Sequence, residues 1–399
     1  MDSLTQIVLG AAVSEAALGK KVGNRAIVWG AIAGTIPDLD VIANRFLSPI
    51  DALAFHRGPT HGIGFSVGMA ILMGVGVHYL YKFKYHKYVG MVSWLLLVWS
   101  VIAFLLYKDA FSVVGKGIEI AIGVGLSYFI YQRYQRASYD NANASISGWI
   151  WMFFLALFTH PILDTFTTYG TRLFWPFTDT RFALNNISIA DPIYTIPFLF
   201  CVLVVIFLRR GSKARKHWNV AGLYISSLYM LFTLFNKSRI NMIFENTMLT
   251  QGIVYDKYMT SPTILNNILW YGIAETDTTY VYGHYSFFDK EKQFKLHSIS
   301  KTLPRLDREF ANDRTYHILE WFSNGYGVLT EGEANNFWYQ DLRFGTFRAN
   351  RREEESFVFK FPLKSEAAQS LTLEDQGRGP RDGNISEALS LLFERIKGI

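Results

Sequence analysis

Six apolar runs, residues 63–81, 89–107, 111–131, 149–163, 192–208 and 220–235, leave this chain few ways to fold in water. A hydrocarbon layer about 30 Å thick requires roughly 20 apolar residues per helix, and a helix satisfies its backbone polar groups within one crossing segment. Two earlier runs, 4–18 and 26–36, are short for a full span and read as a tightly packed or half-crossing helix pair. Half of the 399 residues are hydrophobic and 18% are charged, which excludes disorder and most nucleic-acid-binding architectures. Beyond residue 238 the chain turns polar, aromatic and charge-rich. It carries β-prone runs at 280–287 and 357–361, a Gly/Pro/charge-rich loop at 378–383 and a closing helix expected at 386–397. The expected architecture is a polytopic α-helical membrane domain, 1–238, followed by a smaller mixed α/β domain, 239–399. Asp2 stands where a secretory signal needs a basic residue and no cleavage segment follows, so the N-terminus is expected to stay in the mature protein.

Lysine and arginine near span ends mark cytoplasmic loops. Lys20, Lys21 and Arg25 form one such loop, Lys82, Lys84 and Lys87 a second, and Arg133 and Arg136 a third. Arg209, Arg210, Lys213, Arg215 and Lys216 form the fourth. With these inside, residues 35–60, 108–110, 164–191 and everything after 235 fall outside, so the second domain is expected to be extracytoplasmic. The net charge of +6 is then a topological signal from which no nucleic-acid partner follows. Arg172 and Arg181 are basic in an outer loop, against the rule, and are candidates for binding an anionic substrate. The single cysteine, Cys201, excludes an intrachain disulfide framework, a Cys-rich zinc knuckle and a CxxC redox site. Gly30 with Gly34, and Gly64 with Gly68, have the spacing that lets helices approach closely in lipid.

Ionisable groups at the ends of apolar runs are costly to desolvate and point to function. Four clusters qualify. In Pro37-Asp38-Leu39-Asp40 two carboxylates follow an apolar run directly, as a site element or as a solvated turn. In the segment from His56 through Arg57, Gly58, Pro59 and Thr60 to His61, glycine and proline forbid a regular helix, so the loop can turn both imidazoles toward one point. Arg57 is placed to meet an anion there, and interfacial anchoring is the alternative. His160 and Asp164, four apart, share a helix face beside Pro161, either as two ligands or as a plain helix-end hydrogen bond. The loop Thr167-Thr168-Tyr169-Gly170-Thr171-Arg172, with Arg181, Asn185, Asn186 and Asp191, offers donors for a phosphate or forms an ordinary interfacial loop. Charge bias, read independently of these clusters, puts all four on one membrane face. His78, His86 and His217 fall on the other side, and His284, His297 and His317 lie in the polar half without ligand spacing.

These motifs, namely PDLD, HRGPTH and HPILDTFTTYGT with the opening Met1-Asp2-Ser3-Leu4-Thr5-Gln6, carry a resemblance over roughly residues 1–210. The chain resembles a bacterial inner-membrane family described as LexA-binding, membrane-bound metal-dependent hydrolases. The resemblance implies a multi-pass inner-membrane protein with a divalent metal site, hydrolytic activity and a metal set of Asp38, Asp40, His56, His61, His160 and Asp164. Many relatives carry histidine where Gln6 stands and serine where Gly62 stands. The first difference implies one ion rather than two, or a weaker second site.

Three histidines and up to three aspartates suit one or two zinc-like ions, with manganese or iron as alternatives. Such an ion activates water and polarises an ester or phosphoester oxygen. Asp38 or Asp164, where not a ligand, is placed to accept the water's proton, and Arg57 to stabilise a developing oxyanion. At the membrane rim the expected substrate is a lipid or lipid-linked ester or phosphoester. The rival reading is a non-catalytic membrane protein in which the same residues form a structural metal clip or ion pathway and the outer domain is a binding module. Clusters at span ends rather than mid-span favour the hydrolase. The outward motifs specify no protein partner.

Overall fold

A computed structural model describes residues 1–107, 113–136, 144–333, 335–346, 357–367, 370–374 and 385–398. The loops expected at 108–110 and 378–383 lie outside these residues. Asp2 caps the first helix, α1 (Ser3–Ser14), by accepting from the Thr5 N–H at 3.0 Å. One π turn, Glu15–Gly19, leads into α2 (Lys20–Val22), and α3 (Asn24–Thr35) returns antiparallel along α1. Here the two backbones touch. A Cβ on Gly10 would strike the Gly30 carbonyl and one on Gly34 the Gln6 carbonyl, so only glycine fits. A 3₁₀ segment, Pro37–Arg45, continues α3 at a bend of 46°, and α4 (Pro49–Phe55) follows.

The longer apolar helices are α5 (Ile63–Lys82), α6 (His86–Tyr107), α7 (Val113–Arg136), α8 (Ile146–Asp164), α9 (Pro192–Phe207) and α10 (Lys213–Thr250). Among the described residues five helices are long and apolar enough to cross a membrane, and α3 with its bent 3₁₀ continuation passes the same test as a pair, with the shape of a broken span or a re-entrant loop. The exception is α9, expected as a full span over 192–208 and only 16 residues long. Asp191 caps its start, Pro192 fixes its first turn, and the backbone turns extended at Leu208. Trp149, Met152, Phe153, Ala156 and Leu157 bury α8 at the centre of the bundle. Gly68 faces open space, so the close approach expected at Gly64 and Gly68 occurs instead at Gly74, where a Cβ would strike Ile150 of α8. At one end of the bundle the first and fourth basic loops meet. Arg210 Nε donates to the Lys20 carbonyl at 3.2 Å, and buried Arg215 holds Glu15 through bonds of 2.7 and 2.6 Å.

At the other end sits the second domain, and α10 reaches into it. Ile240, Phe244 and Met248, each four residues after the last, pack on an antiparallel sheet of β1 (Lys257–Pro262), β2 (Leu269–Glu275), β3 (Thr279–Ser286) and β4 (Lys295–Ser300). Gly272 of β2 leaves room for the Phe244 ring. Two short helices, α11 (Pro304–Glu309) and α12 (Arg314–Phe322), precede a second antiparallel sheet, β5 (Gly327–Glu331), β6 (Asn336–Thr346), β7 (Phe357–Ala367) and β8 (Ser370–Leu373). The closing helix is α13 (Ile385–Ile396). The core under the second sheet takes in Ile50 and Leu53 of α4 and the Tyr169 ring, so this domain closes over the loops at the non-basic end of the bundle. The architecture is thus a helical membrane domain followed by a smaller α/β domain built on two antiparallel sheets.

Candidate metal centre

Four side chains converge where α3 and α8 end and α5 begins: Asp38, His61, His160 and Asp164. The bend after α3 brings in Asp38, the Pro59–His61 turn brings in His61, and the last turn of α8 presents His160 and Asp164 on one face. His61 Nε2 lies 3.5 Å from Asp38 Oδ1 and 3.4 Å from Asp164 Oδ2, and His160 Nε2 lies 3.4 Å from each. Donors about 2.0–2.1 Å from a tetrahedral ion are separated by ~3.3–3.4 Å, so these spacings are those of ligands around one ion. Both Nε2 atoms and Asp164 Oδ2 are buried without a hydrogen-bond partner. Buried polar atoms are normally paired, and three orphans aimed at one point fit a cation. The cluster can therefore hold a metal ion.

The surrounding bonds fix the ligand atoms. His160 Nδ1 lies 2.7 Å from the Gly34 carbonyl, which only accepts, so Nδ1 carries the proton and Nε2 the free lone pair. Thr60 Oγ1 donates to Asp40 Oδ2 at 3.2 Å and lies 3.1 Å from His61 Nδ1. Its proton being spent on Asp40, it accepts from Nδ1, and His61 Nε2 is left free. One oxygen of Asp164 is fully engaged: Oδ1 meets the Met1 nitrogen, Gln6 Nε2 at 3.1 Å and Arg57 Nη2 at 3.6 Å. Arg57 also donates to Thr167 Oγ1 at 3.2 Å and lies 5.0 Å over the Tyr169 ring. Its φ of 58° is the left-handed region, held by its N–H on Asp40 Oδ2 at 3.0 Å.

Asp40 and His56, expected as ligands, stand outside the converging four. Asp40 is the buried acceptor behind His61, and its Oδ1 takes His56 Nδ1 at 2.9 Å. The His56 ring centre is 6.2 Å from that of His61, and its side chain is partly exposed. Both belong to the layer that orients the cluster because Asp40 is already occupied by Thr60, Arg57 and His56. Arg172 and Arg181, expected to bind substrate, lie in the seam between loop 165–191 and the second domain. Arg172 Nη2 donates to the Ala54 carbonyl at 2.5 Å, Arg181 Nη1 to the Phe322 carbonyl at 2.8 Å, and both stack on Trp321. Burial, with Arg343 and Arg57 nearby, pulls Arg181 down to about 9, and burial pushes the Tyr169 phenol up to about 12.

The orienting roles of the Gly34 carbonyl, Thr60 and Gln6 are not visible in the sequence. A backbone carbonyl carries no side-chain signal, and Thr60 and Gln6 act through ligands that the fold brings to them. No curated protein and no solved structure matches the chain. One family model covers residues 1–240, all four converging side chains included, and by it the chain belongs to the YdjM inner membrane protein family.

Proposed function

We propose that the chain is a membrane-bound, metal-dependent hydrolase that cleaves an ester or phosphoester of a lipid or lipid-linked substrate. The observation carrying this reading is the set of three orphaned ligand atoms, His61 Nε2, His160 Nε2 and Asp164 Oδ2, at the spacing of donors around one ion. Two imidazoles and two carboxylates suit zinc, with manganese or iron as alternatives. Bound there, such an ion would supply a water-derived nucleophile at neutral pH and polarise the scissile oxygen. Asp38 is the ligand at the opening, with 21% of its side chain exposed against 0–1% for the other three. His56, its Nδ1 proton held by buried Asp40 and its Nε2 free of that bond, would be the group that takes a proton from water and returns it to the leaving alcohol. Arg57 neutralises Asp164 and presents positive charge at the edge of the site. The site's face is read as extracytoplasmic. The joined basic loops at the opposite end support that orientation on an inner membrane.

A structural metal clip is the second reading, and one observation favours it. Four protein ligands are the count of closed structural zinc sites, whereas catalytic sites keep one position open. Catalysis then requires Asp38 to yield its place or the ion to take a fifth ligand. The test is metal analysis of the purified protein followed by a panel of ester and phosphoester lipids. About one ion per chain is expected, lost together with hydrolysis in His160→Ala. Metal-loaded protein that hydrolyses no lipid supports the clip, and metal content unchanged by His61→Ala and His160→Ala overturns both readings.

A further inference from the structure

The opening at Asp38 has a direction. His160 lies four residues before the end of α8, about 6 Å along its axis, and Asp164 is its last residue, so the cluster occupies the final helical turn of a membrane span. Asp38 is carried by the 3₁₀ segment Pro37–Arg45, which leaves the cluster at that depth and climbs outward. In a 3₁₀ helix residues three apart eclipse one another. Asp40 and Ala43 make the inward row, with Asp40 buried and Ala43 half-buried. The outward row reads Leu39, Ile42 and Arg45, and its first two residues are 51% and 59% exposed. Apolar side chains thus begin beside the least covered ligand, and a cation stands at the far end of the row.

A second apolar wall flanks His61 from the other side. The Ile63 N–H donates to the Leu173 carbonyl at 3.0 Å, and the Trp175 carbonyl presses on Gly62 so closely that a Cβ there would strike it. This holds loop 172–177 along the start of α5, with Phe174 exposed and Phe177 83% exposed. In water such a patch beside a polar cluster would be costly. At the rim of a bilayer, apolar residues sit among acyl chains while arginine snorkels to the phosphates.

We propose that the metal centre opens sideways into the lipid leaflet on its own side of the membrane. A membrane phospholipid docks there, its acyl chains on Leu39, Ile42, Phe174 and Phe177 and its phosphate drawn to Arg45. This deepens the hydrolase reading, on which it rests, by making the substrate a bilayer lipid admitted laterally rather than a soluble ester admitted through the second domain.

The test uses full-length protein in vesicles of phosphatidylcholine and phosphatidylglycerol. The native cysteine is removed by Cys201→Ser, and a fluorophore is attached at Ile42→Cys or Phe177→Cys. Phe288→Cys, exposed on the second domain, is the aqueous control. At Ile42 and Phe177 a nitroxide near the top of the acyl chain is expected to quench several-fold more than aqueous iodide, with the reverse at Phe288. Metal content equal to the parent's shows that each variant keeps its fold. Quenching by iodide, or by neither agent, at Ile42 or Phe177 overturns the lateral opening. The readout needs no turnover, so a failed hydrolysis panel and a failed docking surface are separate results.

Discussion

Replacing Gln6 by methionine removes an amide that donates two hydrogen bonds, and little volume. Gln6 is buried, and its Nε2 donates to Asp164 Oδ1 at 3.1 Å and to the His160 carbonyl at 3.3 Å, bracing both α8 ligands at once. A hydrogen bond to a buried charge contributes about 1.5–3 kcal/mol. Orienting partners of metal ligands change affinity by roughly 10–100-fold, which is about 1.4–2.7 kcal/mol, so the two estimates agree. The metal-free fold should lose less than this, because Gln6 Oε1 is itself buried without a partner and methionine removes that cost. Gln6→Met should therefore weaken metal binding by one to two decades in competition with a chromophoric chelator. In excess metal, the stabilisation that the ion gives in thermal unfolding should shrink by about the same 1.4–2.7 kcal/mol. Wild-type affinity in Gln6→Met would refute the idea that Asp164 Oδ1 is held so that Oδ2 can bind the ion.

Three further outcomes are expected. Arg215→Met strands the buried Glu15 carboxylate and should cost about 3–5 kcal/mol in unfolding measured in detergent, with part regained in the Glu15→Gln/Arg215→Met double variant. Gly30→Val should push α1 off α3 and carry the Gly34 carbonyl away from His160, so purified protein should hold less metal. In the second domain, burial, with Arg395 adding to it, holds the His284 imidazole down to about 3. The folded form is the neutral one, so its contribution is complete above the ordinary 6.5 and is lost as pH falls toward 3. Unfolding by denaturant should show about 2 kcal/mol less stability at pH 5 than at pH 7 from this residue, a slope that His284→Leu should remove.

The spans were legible because length and unbroken apolarity suffice to identify them. So were the residues of the cluster, since Asp38, His61 and Asp164 flank apolar runs and His160 lies in the last turn of one. The division of labour among the candidates was not legible. Asp38 and Asp40 have the same chemistry two residues apart, and only the 3₁₀ geometry turns one toward the imidazoles and the other behind them. Arg172 and Arg181 read as anion binders because they break the charge rule. Their partners are carbonyls, the Asp179 carboxylate beside Arg172, and Trp321, and the last lies far along the chain in the second domain. The last membrane helix was expected to end at 235 because Asn236, Lys237 and Arg239 break the apolar run. Its continuation depends on the stripe Ile240, Phe244 and Met248, whose spacing is helical and whose cover is a sheet formed later in the chain.

That continuation ties the second domain to the bundle by one rod. At 1.5 Å per residue, the 38 residues of α10 make a rigid element about 57 Å long, from the basic end of the bundle into the core of the first sheet. A flexible linker would let the second domain wander. A continuous helix instead indexes it, because one residue inserted after Lys237 would turn everything beyond by about 100° and raise it about 1.5 Å. The Trp321 ring would then leave Arg172 and Arg181, and the second domain would face another sector of the membrane. Helical phase in α10 therefore sets which side of the Asp38/His61/His160/Asp164 cluster the second domain covers.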